Sequence, residues 1–258
     1  MIVIKSYWYS QVLNFGDLLT PLVLSHFDIH AENYPINESE IVVVGSILQD
    51  LKPEYRGYIL GSGLIKNIRS SFENAQVRGI RGFLTKERLG IKEDIVLGDP
   101  GILASALIEN RSSKAYALGV VPHYVDKNNK GIKDFCAKYR DDVLIIDVQA
   151  EPKSVIAQID QCMYVVSSSL HGIIVADSLG IPSGWLVLSK GVIGDGFKFY
   201  DYYSNFHKKP APLNFSEYST LSELIKDCKL PDNSEIECMK ACQEDMFSKF
   251  FYDYSNNQ

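Results

Sequence analysis

Long apolar runs are what this chain of 258 residues most clearly lacks. No stretch approaches the roughly 18 consecutive apolar residues that a membrane-spanning helix needs. The N-terminus, Met-Ile-Val-Ile-Lys-Ser-Tyr-Trp, has no basic region followed by a long apolar one, so it reads as a first strand and not as a signal peptide. An excess of positive charge is also missing. With 26 Lys and Arg against 32 Asp and Glu, the net charge is −6. That argues against a nucleic-acid scaffold and against a polybasic membrane anchor, and leaves room for a local cationic pocket around a small anion. The five cysteines are odd in number and widely spaced, with no CxxC pair and no Cys/His cluster, so no zinc site is expected. They read as reduced thiols of a cytosolic protein. Cys238 and Cys242, four residues apart, could share a helix face. Nucleotide fingerprints are absent as well: Gly61-Ser62-Gly63 has Ile65 and Lys66 near the place of a third glycine. There is no P-loop, no GxSxG elbow and no HExxH helix, which leaves NAD-linked, nucleotide-hydrolysing and zinc-protease readings without support.

What is present is an alternation of short β-rich runs with helical patterns. Ile2–Ile4, the β-branched run Ile41–Val44, Tyr58–Leu60, Gln76–Arg78 and Ile95–Leu97 read as strands. A helix capped by Asp17 runs to about His26, and Arg81–Leu89 and Ile102–Ile108 are expected helices. A second set follows: strands Ala117–Val121, Val143–Ile146, Met163–Val166 and Trp185–Leu188, and helices Lys130–Tyr139, Pro152–Asp160 and Gly172–Leu179. Glu217–Lys226 and Asn233–Tyr252 look helical. The pattern predicts βα units with parallel sheets. The polar segment Ile108–Lys114 is the best linker, giving two Rossmann-like halves at about 1–110 and 115–258; one continuous doubly wound sheet is the alternative. Aromatics are 11% of the chain, with 15 Tyr and 12 Phe. They could line a sugar-binding surface, although packing in the core is their commoner use.

In open parallel sheets ligands bind outside the carboxyl ends of the strands. Nearly every predicted strand here is followed by a Gly-rich or polar turn. The most specific is Ser167-Ser168-Ser169-Leu170-His171-Gly172, between a strand and a helix. Its free N–H groups, helix dipole and hydroxyls favour an anion, and the His171 imidazole can give or take a proton near neutrality. A serine cap with a packed histidine is the plainer reading of the same residues. Arg78 and Arg81 flank Gly79 and Gly82 after another strand, and guanidinium groups bind carboxylate or phosphate bidentately; a structural ion pair is the plainer alternative. His123 follows Pro122 at a strand end. Asn14 and Asp17 border the first strand-to-helix turn, and Asp99, in Gly-Asp-Pro-Gly, reads most simply as a turn residue.

The order of these turns resembles the polysaccharide pyruvyl transferase family. The matching stretches are Asn14-Phe15-Gly16-Asp17-Leu18-Leu19, Val44-Gly45-Ser46-Ile47-Leu48, Gly61-Ser62-Gly63, Val77-Arg78-Gly79-Ile80-Arg81-Gly82, Leu97-Gly98-Asp99-Pro100-Gly101, Val121-Pro122-His123-Tyr124, Val166-Ser167-Ser168-Ser169-Leu170-His171-Gly172 and Phe197-Lys198-Phe199-Tyr200-Asp201-Tyr202-Tyr203. The family pattern often has Arg where this chain has Ser169, so Arg78 or Arg81 would have to supply that cation.

The resemblance implies an α/β fold of two Rossmann-like domains in an arrangement similar to GT-B glycosyltransferases, with a cleft between an acceptor-side N-terminal domain and a donor-side C-terminal domain. It implies transfer of a pyruvyl group from phosphoenolpyruvate, as donor substrate and with no cofactor or metal, onto a sugar of a cell-surface polysaccharide or its lipid-linked precursor, commonly as a ketal. The location implied is cytoplasmic, and a lipid-linked acceptor would bring the protein to the inner face of the membrane. On motif position and side-chain chemistry, His171 is expected as acid/base and His123 as a second acid/base or phosphate ligand. Arg78, Arg81, Ser168, Ser169 and Gly172 are expected at the donor, and Asn14 and Asp17 at the acceptor. Two rivals remain at this point: a GT-B glycosyltransferase using a nucleotide sugar, and a non-catalytic glycan-binding protein.

Overall fold

The run Ile41-Val42-Val43-Val44 forms the middle of a sheet whose two faces are both covered. Ile41 and Val43 pack with Leu19 and Val23, whereas Val42 packs with Leu48, Ile59 and Ile80. That is the signature of a parallel sheet layered by helices on both sides. The computed structural model describes residues 2–189 and 191–256. Its first sheet comprises β1 (Ile2–Tyr7), β2 (Ile29–Asn33), β3 (Ile41–Val42), β4 (Tyr58–Leu60), β5 (Gln76–Ile80) and β6 (Val96–Leu97), in the order β2-β1-β3-β4-β5-β6. The second comprises β7 (Tyr116–Val121), β8 (Val143–Ile145), β9 (Cys162–Ser167) and β10 (Ser183–Trp185), in the order β10-β9-β7-β8. Every pairing within both sheets is parallel.

Each order reverses once, between β1 and β3 in the first sheet and between β7 and β9 in the second. Loops that leave neighbouring strands in opposite directions open a crevice at such a reversal. The loops after β1 and β3 carry Asn14, Asp17 and Gly45; those after β7 and β9 carry His123 and the serine–histidine segment.

Helices α1 (Phe15–His26), α4 (Pro152–Asp160) and α5 (Leu170–Ser178) pack on one another, so one core runs from Ile4 and Leu19 to Val165 and Ile173. All nine residues of α5 are buried, including the polar His171, Asp177 and Ser178. Helices α3 (Lys130–Lys138) and α7 (Leu221–Asp227) cover the outer face of the second sheet through Ile132, Phe135, Leu221 and Leu224. Helix α2 (Phe83–Leu89) follows β5 and contacts α6 (Phe197–Tyr203). The long α8 (Asn233–Asn256) returns to the first sheet. There Phe250 meets Tyr58 edge-on and Gln243 donates to the Gly98 carbonyl at 3.0 Å.

Several element bounds move from those expected. The N-cap position of α1 is Asn14, with Asp17 in the first turn. The expected helix 102–108 is a 3-10 segment, Pro100–Ala106, capped by the Asp99 carboxylate. The last strand of the second sheet lies at Ser183–Trp185, ahead of the expected 185–188. Strand β2 and helix α6 have no counterpart in the sequence reading. Only Ile29 of β2 is buried, as an edge strand allows, so no alternation marks it. The linker is clamped: Arg111 donates to Asp160 (2.8 Å) and to the Leu179 carbonyl (2.8 Å), and the Ser112 N–H and Lys114 ammonium also bind at Asp160.

Among the described residues, one wholly buried ion pair joins the turn after β5 to α6. Arg81, in the turn after β5, donates through Nε to Asp201 of α6 at 2.9 Å, and neither side chain has any exposure. The other Arg81 nitrogens reach the Ser46 hydroxyl and the Leu64 carbonyl. Asp201 also accepts from the Thr85 N–H (2.6 Å) and hydroxyl (2.7 Å). Removing one partner strands the other as an uncompensated buried charge. Asp201→Ala should therefore lower the unfolding free energy by about 3–5 kcal/mol, read as a reduced urea midpoint with unchanged slope.

Candidate active site

Turns from both sheets meet at His171: Gly16 and Asp99 come from the first, His123 from the second. The His171 ring rests on the backbone of α1: a Cβ built on Gly16 would stand 2.2 Å from His171 Nδ1. Only glycine at position 16 lets α1 and α5 approach with an imidazole between them. On its other edge, His171 Nε2 is 3.7 Å from Oδ2 of Asp99. The imidazole is 7% exposed and Asp99 is completely buried. Asp99 Oδ1 accepts from the Gly101 N–H at 2.9 Å, but Asp99 Oδ2 and His171 Nε2 are buried without hydrogen-bond partners. Unpaired buried polar atoms cost about 1–3 kcal/mol each and are uncommon outside functional sites.

The neighbours of His171 are charged or polar. Asp17, in the first turn of α1, has a pKa raised by burial and pulled back by His171, Asn14 and Lys198. Asn14 donates to Asp17 Oδ2 at 2.9 Å, and its own Oδ1 is buried and unpartnered. Lys198, on α6, is 8% exposed. It makes no hydrogen bond or ion pair among the described residues, and Nζ stands 5.6 Å from the Phe199 ring centre. Burial, then Arg81, push its pKa down to about 8 against the opposing pull of Asp17. His123 is pushed down to about 4 by burial, then by Lys198 and His171. It is therefore neutral at pH 7. Its Nδ1 accepts from the Val125 N–H at 3.4 Å, which leaves Nε2 as a hydrogen-bond donor.

The serine segment divides. The Ser168 hydroxyl accepts from the His123 N–H (2.8 Å) and donates to Asp126 (2.9 Å), so it ties β9 to the loop after β7. Ser167 Oγ is held by the Val121 and Ser169 carbonyls and the Ser169 N–H. The Ser169 hydroxyl makes no hydrogen bond among the described residues. At Gly172 a Cβ would stand 2.3 Å from Ser167 Oγ, so this glycine permits the tight strand-to-helix turn.

The structure thus brings His171, His123, Asn14, Asp17, Ser168, Ser169 and Gly172 to the turns that meet around α5. Arg81 is adjacent but wholly buried against Asp201. Arg78 lies elsewhere: it is exposed on β5 and lines a groove of about 1360 Å³ beneath α8, with Asp94 and Glu235. Two residues stand at the site that the sequence reading did not single out. Asp99 had been read as a turn residue, and it is one, through Oδ1; its second oxygen faces His171. Lys198 sits in an aromatic stretch with no visible period, and the one clue was a lysine among Phe and Tyr.

Turns at the carboxyl ends of two parallel sheets, carrying a histidine and buried carboxylates and joined by a desolvated lysine, gather ionisable groups where open α/β sheets bind their ligands. The family follows from sequence comparison: the polysaccharide pyruvyl transferase model matches residues 4–189. The chain belongs to the polysaccharide pyruvyl transferase family. It is 41% identical over 180 residues to an uncharacterized protein of Acanthamoeba polyphaga mimivirus, covering 66% of this chain and 60% of that protein. It is 31% identical over 206 residues to the succinoglycan biosynthesis protein ExoV of Rhizobium meliloti (strain 1021), covering 76% and 62%. The chain thus spans about three fifths of the length of these curated relatives.

The seat of His171 on Gly16 is directly testable. Gly16→Ala adds a methyl where the imidazole lies and should displace it by about 1 Å, a misplacement that costs about a hundredfold in turnover. The variant should keep its circular dichroism spectrum while losing activity.

Proposed function

We propose that this protein transfers a pyruvyl group from phosphoenolpyruvate to a sugar of a polysaccharide or its lipid-linked precursor, closing a ketal across two hydroxyls. Family membership supports the reaction class. The observation that carries the reading to this chain is the convergence of turns from both sheets on His171, with Lys198 as a cation engaged by no protein carboxylate in an ion pair. The meeting of turns from two parallel sheets at His171 supports a GT-B-like arrangement.

Phosphoenolpyruvate bears a carboxylate and a phosphate, so its pocket needs cations and N–H donors. Lys198, the Ser169 hydroxyl, the His123 Nε2–H and the first-turn N–H groups of α5 supply them. Lys198 takes the place of the arginine that the family pattern often carries at the position of Ser169. Arg81 acts behind it by holding α6. Asn14 Oδ1 and the Asp17 carboxylate are acceptors on the opposite wall, suited to the donor hydroxyls of a sugar. A proton delivered to the methylene carbon makes it a methyl group and leaves an oxocarbenium-like C2. One sugar hydroxyl adds there and gives up its proton. Phosphate then leaves with the C2–O bond electrons, and the second hydroxyl closes the ketal. His171 exchanges the protons, with the Asp99 carboxylate behind it. No helix among the described residues is long and apolar enough to cross a membrane; we place the reaction in the cytoplasm, at the membrane face when the acceptor is lipid-linked.

Phosphoenolpyruvate-dependent phosphate release across a panel of glycan acceptors tests this reading. His171→Ala should reduce turnover by about 10²–10⁴-fold. Near-normal turnover in that variant would remove the assigned role, and nucleotide release from nucleotide sugars without phosphate release would replace the reaction.

The protonation of Lys198 gives a second test. Below pH 8 the ammonium is charged and holds the donor; as pH rises through about 8 the charge is lost. The KM for phosphoenolpyruvate should therefore climb above pH 8 while acceptor binding is unchanged. In Lys198→Arg, whose guanidinium keeps its charge, that limb should vanish. A flat KM from pH 7 to 9 in the unaltered protein would refute the assignment.

A further inference from the structure

We propose that Asp99 is a positioning residue that fixes His171 as the Nε2–H tautomer and so makes Nδ1, on the Gly16 side, the atom that exchanges protons with substrate.

The argument is an accounting of buried donors and acceptors. A carboxylate accepts at both oxygens and donates at neither. Asp99 Oδ1 is satisfied by the Gly101 N–H at 2.9 Å. Oδ2 has no donor, although it is fully buried. The Tyr202 hydroxyl, also near Asp99, is already committed to Asp177 at 2.9 Å. The remaining polar atom facing Oδ2 is His171 Nε2, itself buried and unpartnered, 3.7 Å away. Each atom has what the other lacks if the ring carries its hydrogen on Nε2. The separation exceeds a normal N–H···O distance by about 0.8 Å. Catalytic hydrogen bonds often tighten in this way once substrate is bound.

The two groups come from different sheets. Asp99 opens the turn after β6, and His171 lies in the first turn of α5. The 3-10 segment after Asp99 is packed on α5 through Ile102 and Ser178, so forming the bond takes a side-chain adjustment of less than an ångström when substrate binds. With Nε2 committed to Asp99, the neutral ring offers a lone pair only at Nδ1. That atom lies against the backbone of Gly16, 2.2 Å from where a Cβ would stand, and next to the Asn14–Asp17 turn. Asp17 of α1 and His123 of the β7 loop also act electrostatically on this ring, but neither is hydrogen-bonded to it.

The kinetic arm of the test rests on the pyruvyl-transfer reading; the spectroscopic arm does not. In full-length protein carrying 15N-labelled histidine, two-bond couplings from the ring nitrogens to Hδ2 and Hε1 identify the tautomer of His171, assigned by its loss in His171→Ala. The Nε2–H form is expected in the unaltered protein. Asp99→Asn retains an oxygen for the Gly101 N–H but turns an N–H toward Nε2, so the Nδ1–H form should replace it. Turnover in Asp99→Asn should fall about a hundredfold or more with little change in either KM. An Nδ1–H ring in the unaltered protein overturns the proposal outright. So does an Asp99→Asn variant whose tautomer or turnover is unchanged. Loss of both KM values with an unchanged tautomer would mark Asp99 as a turn residue only. If no acceptor in the panel turns over, the couplings still decide the tautomer.

Discussion

The Arg81–Asp201 pair is the constraint on which the rest of the arrangement hangs. A guanidinium with no exposure sits in the turn after β5, and its carboxylate partner lies 120 residues later on α6. Such a pair is tolerated in a dry interior only because each member has further partners: Ser46 and Leu64 for the cation, Thr85 for the anion. It locks α6 against α2 and the first sheet. Lys198 rides on the same helix three residues before Asp201, so the pair that anchors α6 also holds an ammonium near Asp17 and His123. Burial, and after it Arg81, lowers the pKa of that ammonium to about 8.

The same economy governs His171. Glycine at 16 and glycine at 172 let three backbone segments meet where an imidazole must fit, and neither position has room for a methyl group. The site has side chains tied up in hydrogen bonds and side chains left without partners. Ser167 and Ser168 spend their hydroxyls on β7, the His123 N–H and Asp126, and thereby fix the geometry of the loop. Of the buried atoms left unpaired among the described residues, Asn14 Oδ1, Asp99 Oδ2 and His171 Nε2 belong to this site, and Asn205 Oδ1 and Gln243 Oε1 lie apart from it. Polar groups left unsatisfied in a well-packed interior are where a ligand or a closing motion finds its partners.

Most of the fold was legible because hydrophobic period and strand-end punctuation are local properties. β-branched runs such as Ile41–Val44, the Pro at the start of α4 and Gly180 after α5 needed no tertiary information. Strand β2 was hidden because an edge strand buries a single residue. Helix α6 was hidden because its seven residues are nearly all aromatic or charged and buried on every side, so no amphipathic period survives. The expected cap at Asp17 fell three residues late because an aspartate in the first turn of a helix satisfies the same local chemistry as one at the cap.

By itself the sequence determined a parallel α/β chain with anion-suited turns at strand ends, and it marked His171 and its serine segment. It also carried the family resemblance, because an ordered set of turn motifs is written in one dimension. What only the tertiary structure decided was which of the charged residues share a space. Two arginines three positions apart read alike, yet Arg81 goes inward to Asp201 and Arg78 outward beneath α8. Asp99 and Lys198 had no local mark, since the partners that give them meaning come from other sheets and helices. Pairing across such distances depends on strand order and on how two sheets face each other, and no pattern of neighbouring residues encodes that.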